Sequence, residues 1–299
     1  MTMIRLAHLS DIHITAPKLE WTLRDWFNKR HAAWMNFRWL GRGKRFSRAD
    51  EVLTRLMEEI AEQRPDRIIF SGDATALGFE SEIRRAAELL RVGDASLPPG
   101  LAVPGNHDYC TIPAEASGLF ERYFSPWLMG ERVDGKMYPF AQRVGHVWLV
   151  AVNSCTGNFW PWDASGAVGY WQRERLRKLL AQLEAGPRIL VTHYPICYPS
   201  GDRESRVHGL RDLDELVEVA DEGGISLWIH GHRHKAYEFQ EPFLAPFPVI
   251  CIGSATQTRF WTYGNYTIDG LQLHAQLRTF DPDAGRFKDG AEFDINLRT

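Results

Sequence analysis

Cysteine is scarce: the 299 residues contain four, Cys110, Cys155, Cys197 and Cys251, too far apart to form any CxxC pair. No apolar run follows the N-terminus that could serve as a signal peptide, so a reducing cytoplasm is the expected compartment. No stretch approaches the roughly 20 apolar residues that a membrane-spanning helix needs. Any membrane contact would therefore be peripheral, at the inner face. Internal repeats, low-complexity tracts and Pro/Gly-rich linkers are also missing, which favours one domain over residues 1–299. The weakest joint, Pro242 to Pro248, reads as a loop.

The chain does have ample apolar material for a core, 44% of its residues, and so is a folded globular protein. Its formal net charge is -3, but the charge is unevenly spread. Residues 18–48 hold nine Lys/Arg against Glu20 and Asp25, giving +7 there and -10 elsewhere. The same segment carries Trp21, Trp26, Trp34 and Trp39.

Seven short apolar runs each end in a polar cluster: "IRLAHLSDIH" (4–13), "RIIFSGD" (67–73), "LAVPGNHD" (101–108), "VWLVAVNS" (147–154), "RILVTHYP" (188–195), "LWIHGHRH" (227–234) and "VICIGSAT" (249–256). They read as buried strands with chemistry just past their carboxyl ends. Helical spacing of apolar residues predicts helices over 50–63, 80–91, 171–184 and 211–222. Strand and helix alternate, so the fold class is α/β, with helices covering a buried sheet or pair of sheets. Residues 265–281 alternate apolar and polar around Asp269-Gly270 and predict an antiparallel hairpin.

Asp11 and His13 are two apart, so on an extended strand end both side chains point the same way. His232 and His234 repeat the spacing, and Gly231 lets the backbone approach something closely. Asp73, Asn106 and His193 each stand at the end of another predicted strand. In an α/β sheet those ends gather at one rim, where ligands bind. One such cluster alone is more often a turn or a hydrogen-bonded core histidine. Together they bring seven N and O donors to one place. Carboxylate, amide and imidazole donors without thiolates suit divalent Mn, Fe or Zn. Seven ligands with one bridging carboxylate would serve two ions about 3.5–4 Å apart, the spacing that clamps a phosphoryl oxygen and activates a water.

Asp11-Ile12-His13, Gly72-Asp73, Gly105-Asn106-His107-Asp108, His193 in "THYP" and Gly231-His232-Arg233-His234 resemble, in order, the motif set of the calcineurin-like metallophosphoesterases, across residues 11–234. The resemblance implies a four-layer α/β/β/α sandwich with the basic-aromatic segment inserted after the first strand. It implies that Asp11, His13 and His234 hold one metal, that Asn106, His193 and His232 hold the other, and that Asp73 bridges. It further implies that His107 is no ligand but faces the phosphate and protonates the leaving oxygen, with a metal-bound hydroxide as nucleophile. The expected activity is hydrolysis of a phosphodiester or pyrophosphate. Where many relatives have a second histidine this chain has Tyr194, and "GDAT" lacks the arginine that the corresponding run of Ser/Thr protein phosphatases supplies. The resemblance is thus nearer the bacterial phosphodiesterase branch. Alternatives are a UDP-2,3-diacylglucosamine pyrophosphatase-like or cyclic-nucleotide phosphodiesterase specificity and, in another class, a non-catalytic scaffold on the same fold. All seven ligand positions and His107 are filled, which weighs against the scaffold.

Segment 18–48 starts at the metal rim and is placed to form a cap, wall or lid. It could equally be a surface insertion with its tryptophans in a local core and its arginines solvated. Functionally, it could steer an anionic substrate, stack a nucleobase of single-stranded nucleic acid, or lie among lipid headgroups and contact a lipid-linked substrate. The helical spacing of Trp26, Arg30, Trp34 and Phe37 favours the last. A nuclease would instead bind with a steep salt dependence. Arg203, Arg206 and His208, in a polar loop after the His193 motif, are candidate phosphate or leaving-group contacts. Arg233 is expected to turn away from the metals.

Overall fold

The computed structural model describes residues 3–240 and 245–298. Two mixed sheets form its frame. The six-stranded sheet has the order Arg286–Asn296, Gln272–Asp281, Thr262–Asp269, Ile4–Leu9, Arg67–Phe70, Gly100–Ala102, and its last three strands are mutually parallel. The seven-stranded sheet runs Glu131–Arg132, Phe140–Val144, Val147–Ala151, Arg188–Val191, Ile225–His230, Val249–Cys251, Tyr237–Phe239, with a parallel centre from Val147–Ala151 to Val249–Cys251. All seven apolar runs are strands of these sheets. Apart from Arg5, Arg67 and Arg188 near the strand starts, they are buried because side chains on both faces meet apolar neighbours, and both sheets contribute to one continuous apolar cluster.

The four predicted helices are present as Ala49–Gln63, Glu80–Leu89, Tyr170–Gln182 and Leu213–Glu222. In the first, Val52, Leu53, Leu56, Met57 and Ile60 form one buried face, Asp50 and Glu51 stand at the positive end of the helix dipole, and Arg64 ends it in a left-handed conformation. The hairpin pairs Thr262–Asp269 with Gln272–Asp281, closing at Asp269↔Gln272. The strand that extends it, Arg286–Asn296, escapes a pattern search because only Phe287 and Ile295 in it are buried. Of the expected loop at Pro242 to Pro248, residues 242–244 lie outside the described residues, and 245–248 contain no helix or strand. The four cysteines are buried and unpaired. Among the described residues no helix is long and apolar enough to cross a membrane.

The basic-aromatic segment is a 3-10 turn, Leu23–Phe27, followed by a helix, Lys29–Arg38, whose N-cap Asn28 accepts from the Arg30 N–H at 2.8 Å. Trp26 therefore precedes the helix that carries Trp34 and Phe37. Trp21 and Trp34, with rings 5.9 Å apart, pack on Ala76, Leu77 and Phe79. The arginines are not simply solvated. Arg30 pairs with Asp25 at 2.7 Å and donates to the Leu77 and Gly78 carbonyls, and the buried Lys29 donates to the Asp163 carbonyl.

Candidate metal centre

Five parallel strands from the two sheets end at one rim. Asp11 follows Ile4–Leu9, Asp73 follows Arg67–Phe70, Asn106 follows Gly100–Ala102, His193 follows Arg188–Val191, and His232 and His234 follow Ile225–His230. The loops are stitched together: the Asp11 N–H donates to the Gly72 carbonyl at 2.9 Å and the His13 N–H to the Asp73 carbonyl at 3.1 Å. The two side chains do not converge by strand alternation. Asp11 and His13 lie past the strand with φ of 54° and 43°, Asp73 has 58°, and His232 and His234 have 69° and 58°. Five of the seven candidate ligands thus hold a left-handed backbone that non-glycine residues adopt at a cost, a concentration of strain found at functional sites.

Asp11, His13, Asp73 and His234 bring one ligand atom each within 4.8 Å of one another. His13 Nδ1 faces the Thr75 carbonyl at 3.1 Å, and His234 Nδ1 faces Gln257 Oε1. Both oxygens accept, so both Nδ1 atoms carry the hydrogen and the Nε2 lone pairs face each other at 3.1 Å. A second group repeats the pattern. His193 Nδ1 donates to the Ser71 carbonyl at 2.8 Å, His232 Nε2 lies 3.2 Å from Glu204 Oε2, and the remaining nitrogens, His193 Nε2 and His232 Nδ1, lie 3.3 Å apart with Asn106 Oδ1 3.2 and 3.1 Å away. Acceptors facing acceptors repel unless a proton or a cation stands among them; against the effect of burial, Asp73 pushes the pKa of His193 up to about 9, so without a cation a proton takes that place. Asp11 Oδ1 is buried without a hydrogen-bond partner, as a ligand oxygen would be. The donor set fits two divalent cations.

Burial acts to raise the pKa of Asp73, but His193 overcomes it and holds the carboxyl well below the usual range. For Asp11 burial likewise opposes, and His234 brings the value down. Both are ionised, as ligands must be. Gly231 meets its expectation of close approach: a Cβ there would lie 1.9 Å from Ser10 Oγ and 2.5 Å from Asp11 Oδ2.

The supporting residues went unassigned in the sequence. Ser154 Oγ accepts from the His193 and Tyr194 N–H groups at 3.1 and 3.2 Å, and Ser254 Oγ donates to the Asp11 carbonyl at 2.6 Å. These serines stand in the two strand-end clusters that supply no candidate ligand. Asp108 accepts from the N–H groups of Gly105, Ala74 and Thr75; burial first and then Asp73 push its pKa up to about 7. Tyr194 places its ring 4.6 Å from that of His232 and donates to the Ala164 carbonyl.

A cavity of about 430 Å³ opens over the centre, lined by Arg42, Asp73, Asn106, His107, Glu204, His208 and the 232–234 turn, among others. His107 lines this cavity. Its Nδ1 lies 2.8 Å from the Ala76 carbonyl and its Nε2 lies 2.8 Å from Arg42 Nη2. A guanidinium only donates, so Nε2 accepts and the ring has no free proton to give. Burial, then Arg42, push its pKa down to about 3. Of the loop candidates, His208 lines this cavity, whereas Arg203, paired with Asp214, and Arg206 line a separate small cleft. Arg233 stands at the cavity edge, paired with Glu204 at 2.5 Å.

No curated protein sequence matches the chain. Among solved structures, a dimetal phosphatase from Danio rerio superposes with a TM-score of 0.65 at 10% identity, covering 99% of both chains. A purple acid phosphatase from yellow lupin (Lupinus luteus) seeds gives 0.61 at 12% identity, covering 99% of this chain and 54% of that one. The anchor protein of the Plasmodium inner membrane complex gives 0.59 at 12%, covering 99% and 90%. At these identities the likeness is one of fold. The family model described as calcineurin-like phosphoesterase matches residues 4–236, a span that contains every candidate ligand, and the chain belongs to that family.

Proposed function

We propose that the chain is a dinuclear metal-dependent hydrolase of a phosphodiester or pyrophosphate bond, working in the cytoplasm. One observation carries the reading: Asp73 lies between two clusters of inward-facing lone pairs. In it Asp11, His13 and His234 hold one cation, Asn106, His193 and His232 hold the other, and Asp73 serves both. Manganese, iron or zinc would suit these donors. Bound there, such cations supply Lewis acidity toward phosphoryl oxygens and lower the pKa of water. His107 faces the phosphoryl position from the side, with its Nδ1 hydrogen fixed on the Ala76 carbonyl. His208, at the cavity mouth, is the loop residue best placed to meet the leaving group.

A substrate with an apolar arm, presented at a membrane surface, is supported by Leu23 and Phe27, 83% and 88% exposed on the insertion. Phe27 also lines an apolar groove of about 290 Å³ with Ile112 and Phe159.

The test is hydrolysis of bis(p-nitrophenyl) phosphate against p-nitrophenyl phosphate after chelation and re-supply of manganese. Manganese-dependent cleavage that prefers the diester is expected. His107→Ala should retain manganese and lose turnover by about 10²-fold or more. A protein that holds manganese and cleaves neither ester would end the reading.

A further inference from the structure

Within segment 18–48 a turn, Gly41-Arg42-Gly43, leads into a 3-10 helix, Gly43–Phe46, and carries Arg42 into the cavity over the candidate metal centre. The turn is held from several sides. Gly41 has φ +84°, and a Cβ on Gly43 would lie 2.8 Å from the Phe37 carbonyl oxygen and 2.9 Å from its ring. Just beyond, the buried Phe46 packs its ring 4.7 Å from that of His13, and the Arg45 carbonyl accepts from the Thr258 N–H at 2.7 Å.

A guanidinium has five N–H donors. Among the described residues the side chain of Arg42 has one hydrogen-bond partner, the uncharged His107 ring, and no ion pair. The other guanidinium at this cavity is committed: Arg233 pairs with Glu204 and lies 4.3 Å over the Tyr198 ring. Arg30, in the same segment, is also fully engaged. Among the described residues, Arg42 is the guanidinium at this cavity with donors to spare. Asp73 and Asp11 attract it from a distance, but these are the carboxylates that cations would neutralise. Once they are neutralised, an anion is what completes the surroundings of Arg42.

We propose that Arg42 is a substrate-binding residue, whose planar fork takes two oxygens of the phosphoryl group being cleaved in place of His107 Nε2. This rests on the phosphoesterase reading above. It means that the insertion delivers, from outside the metal motifs, the arginine that Gly72-Asp73-Ala74-Thr75 lacks. It also means that substrate binding releases the His107 Nε2 lone pair from Arg42 while Nδ1 stays on the Ala76 carbonyl.

The experiment uses the manganese-loaded protein with inorganic phosphate, titrated by calorimetry and used as an inhibitor of bis(p-nitrophenyl) phosphate hydrolysis. Arg42→Ala should weaken phosphate binding about 10- to 100-fold with manganese stoichiometry unchanged. Arg42→Lys, which keeps the charge but not the fork, should recover only part. Phosphate binding by Arg42→Ala within twofold of wild type overturns the inference. If Arg42→Ala does not take up manganese, Arg42→Gln, which keeps most of the volume, decides by the same two outcomes. Wild-type protein that holds manganese but neither binds phosphate nor cleaves a diester overturns the phosphoesterase reading as well. An active wild type with an unaffected Arg42→Ala removes only the role of Arg42.

Discussion

Asp73 Oδ2 lies 3.5 Å from His13 Nε2 and 3.5 Å from His193 Nε2, midway between two histidines that belong to different sheets. Its other oxygen, Oδ1, accepts the His107 N–H at 2.8 Å. One carboxylate oxygen thus faces a histidine of each cluster, and the other is fixed by the backbone. Asp73→Ala should abolish tight manganese binding at both positions, where loss of a ligand private to one half would spare the other. Metal analysis after gel filtration checks this; a variant that retains one manganese per chain would break the assignment of Asp73 as the shared ligand.

Glu204 reaches His232 Nε2 with Oε2 at 3.2 Å while Arg233 holds Oε1 at 2.5 Å. Its side chain is 3% exposed. A carboxylate behind a ligand histidine fixes the tautomer and raises the basicity of the metal-facing nitrogen. Glu204→Gln should weaken one of two manganese sites about 10- to 100-fold and leave the other tight. Calorimetry separates the two; two sites of wild-type affinity would refute the role.

Glu82 anchors the turn that receives the insertion, accepting the Leu77 and Phe79 N–H groups on Oε2 at 3.0 and 3.2 Å, while its Oε1 is buried without a partner. Burial is the main cause that pushes its pKa from 4.5 up to about 7. The folded state therefore holds the proton more tightly than the unfolded state. The stability this contributes is complete below pH 4.5 and is lost as the pH rises to about 7, on the order of 3 kcal/mol in all. Glu82→Gln keeps an acceptor for the two N–H groups and removes the titration. Denaturant unfolding across pH 5 to 8 should show a shallower decline for the variant, which becomes the more stable form at pH 8. Parallel profiles would contradict the raised value.

Leu23 and Phe27 have no core to fill, and burying two such side chains in an acyl layer gains about 1.5–3 kcal/mol each. Leu23→Ser with Phe27→Ser should therefore lower co-sedimentation with phosphatidylglycerol vesicles about 10²-fold or more, with manganese content unchanged. Equal sedimentation of both proteins would remove the lipid surface as a partner.

The strands and the gathering of the candidate ligands at their ends were legible because parallel strands buried on both faces are written as short apolar runs, and each run stops where its polar loop begins. The way the ligands converge was not. Alternation predicts that Asp11 and His13 point together, but their left-handed backbones aim them, and no periodicity encodes that. Glu204 sits among Arg203, Arg206 and His208 in one polar loop, and only folding decides which of the four turns inward. Arg42 had one local sign, its flanking glycines, while its partner His107 lies 65 positions away. The third hairpin strand was hidden because its outward face is almost wholly polar.

The contact between Phe46 and His13 has a bearing on how such a chain could diversify. The insertion leaves the loop of one ligand pair at His13 and returns with an aromatic ring against that same histidine and, at 6.0 Å, against His234. It is not a detachable appendage. A recombination that swapped residues 18–48 for a relative's segment would exchange the flank of the metal centre together with whatever the segment recognises, so substrate preference and metal retention would be inherited as one unit.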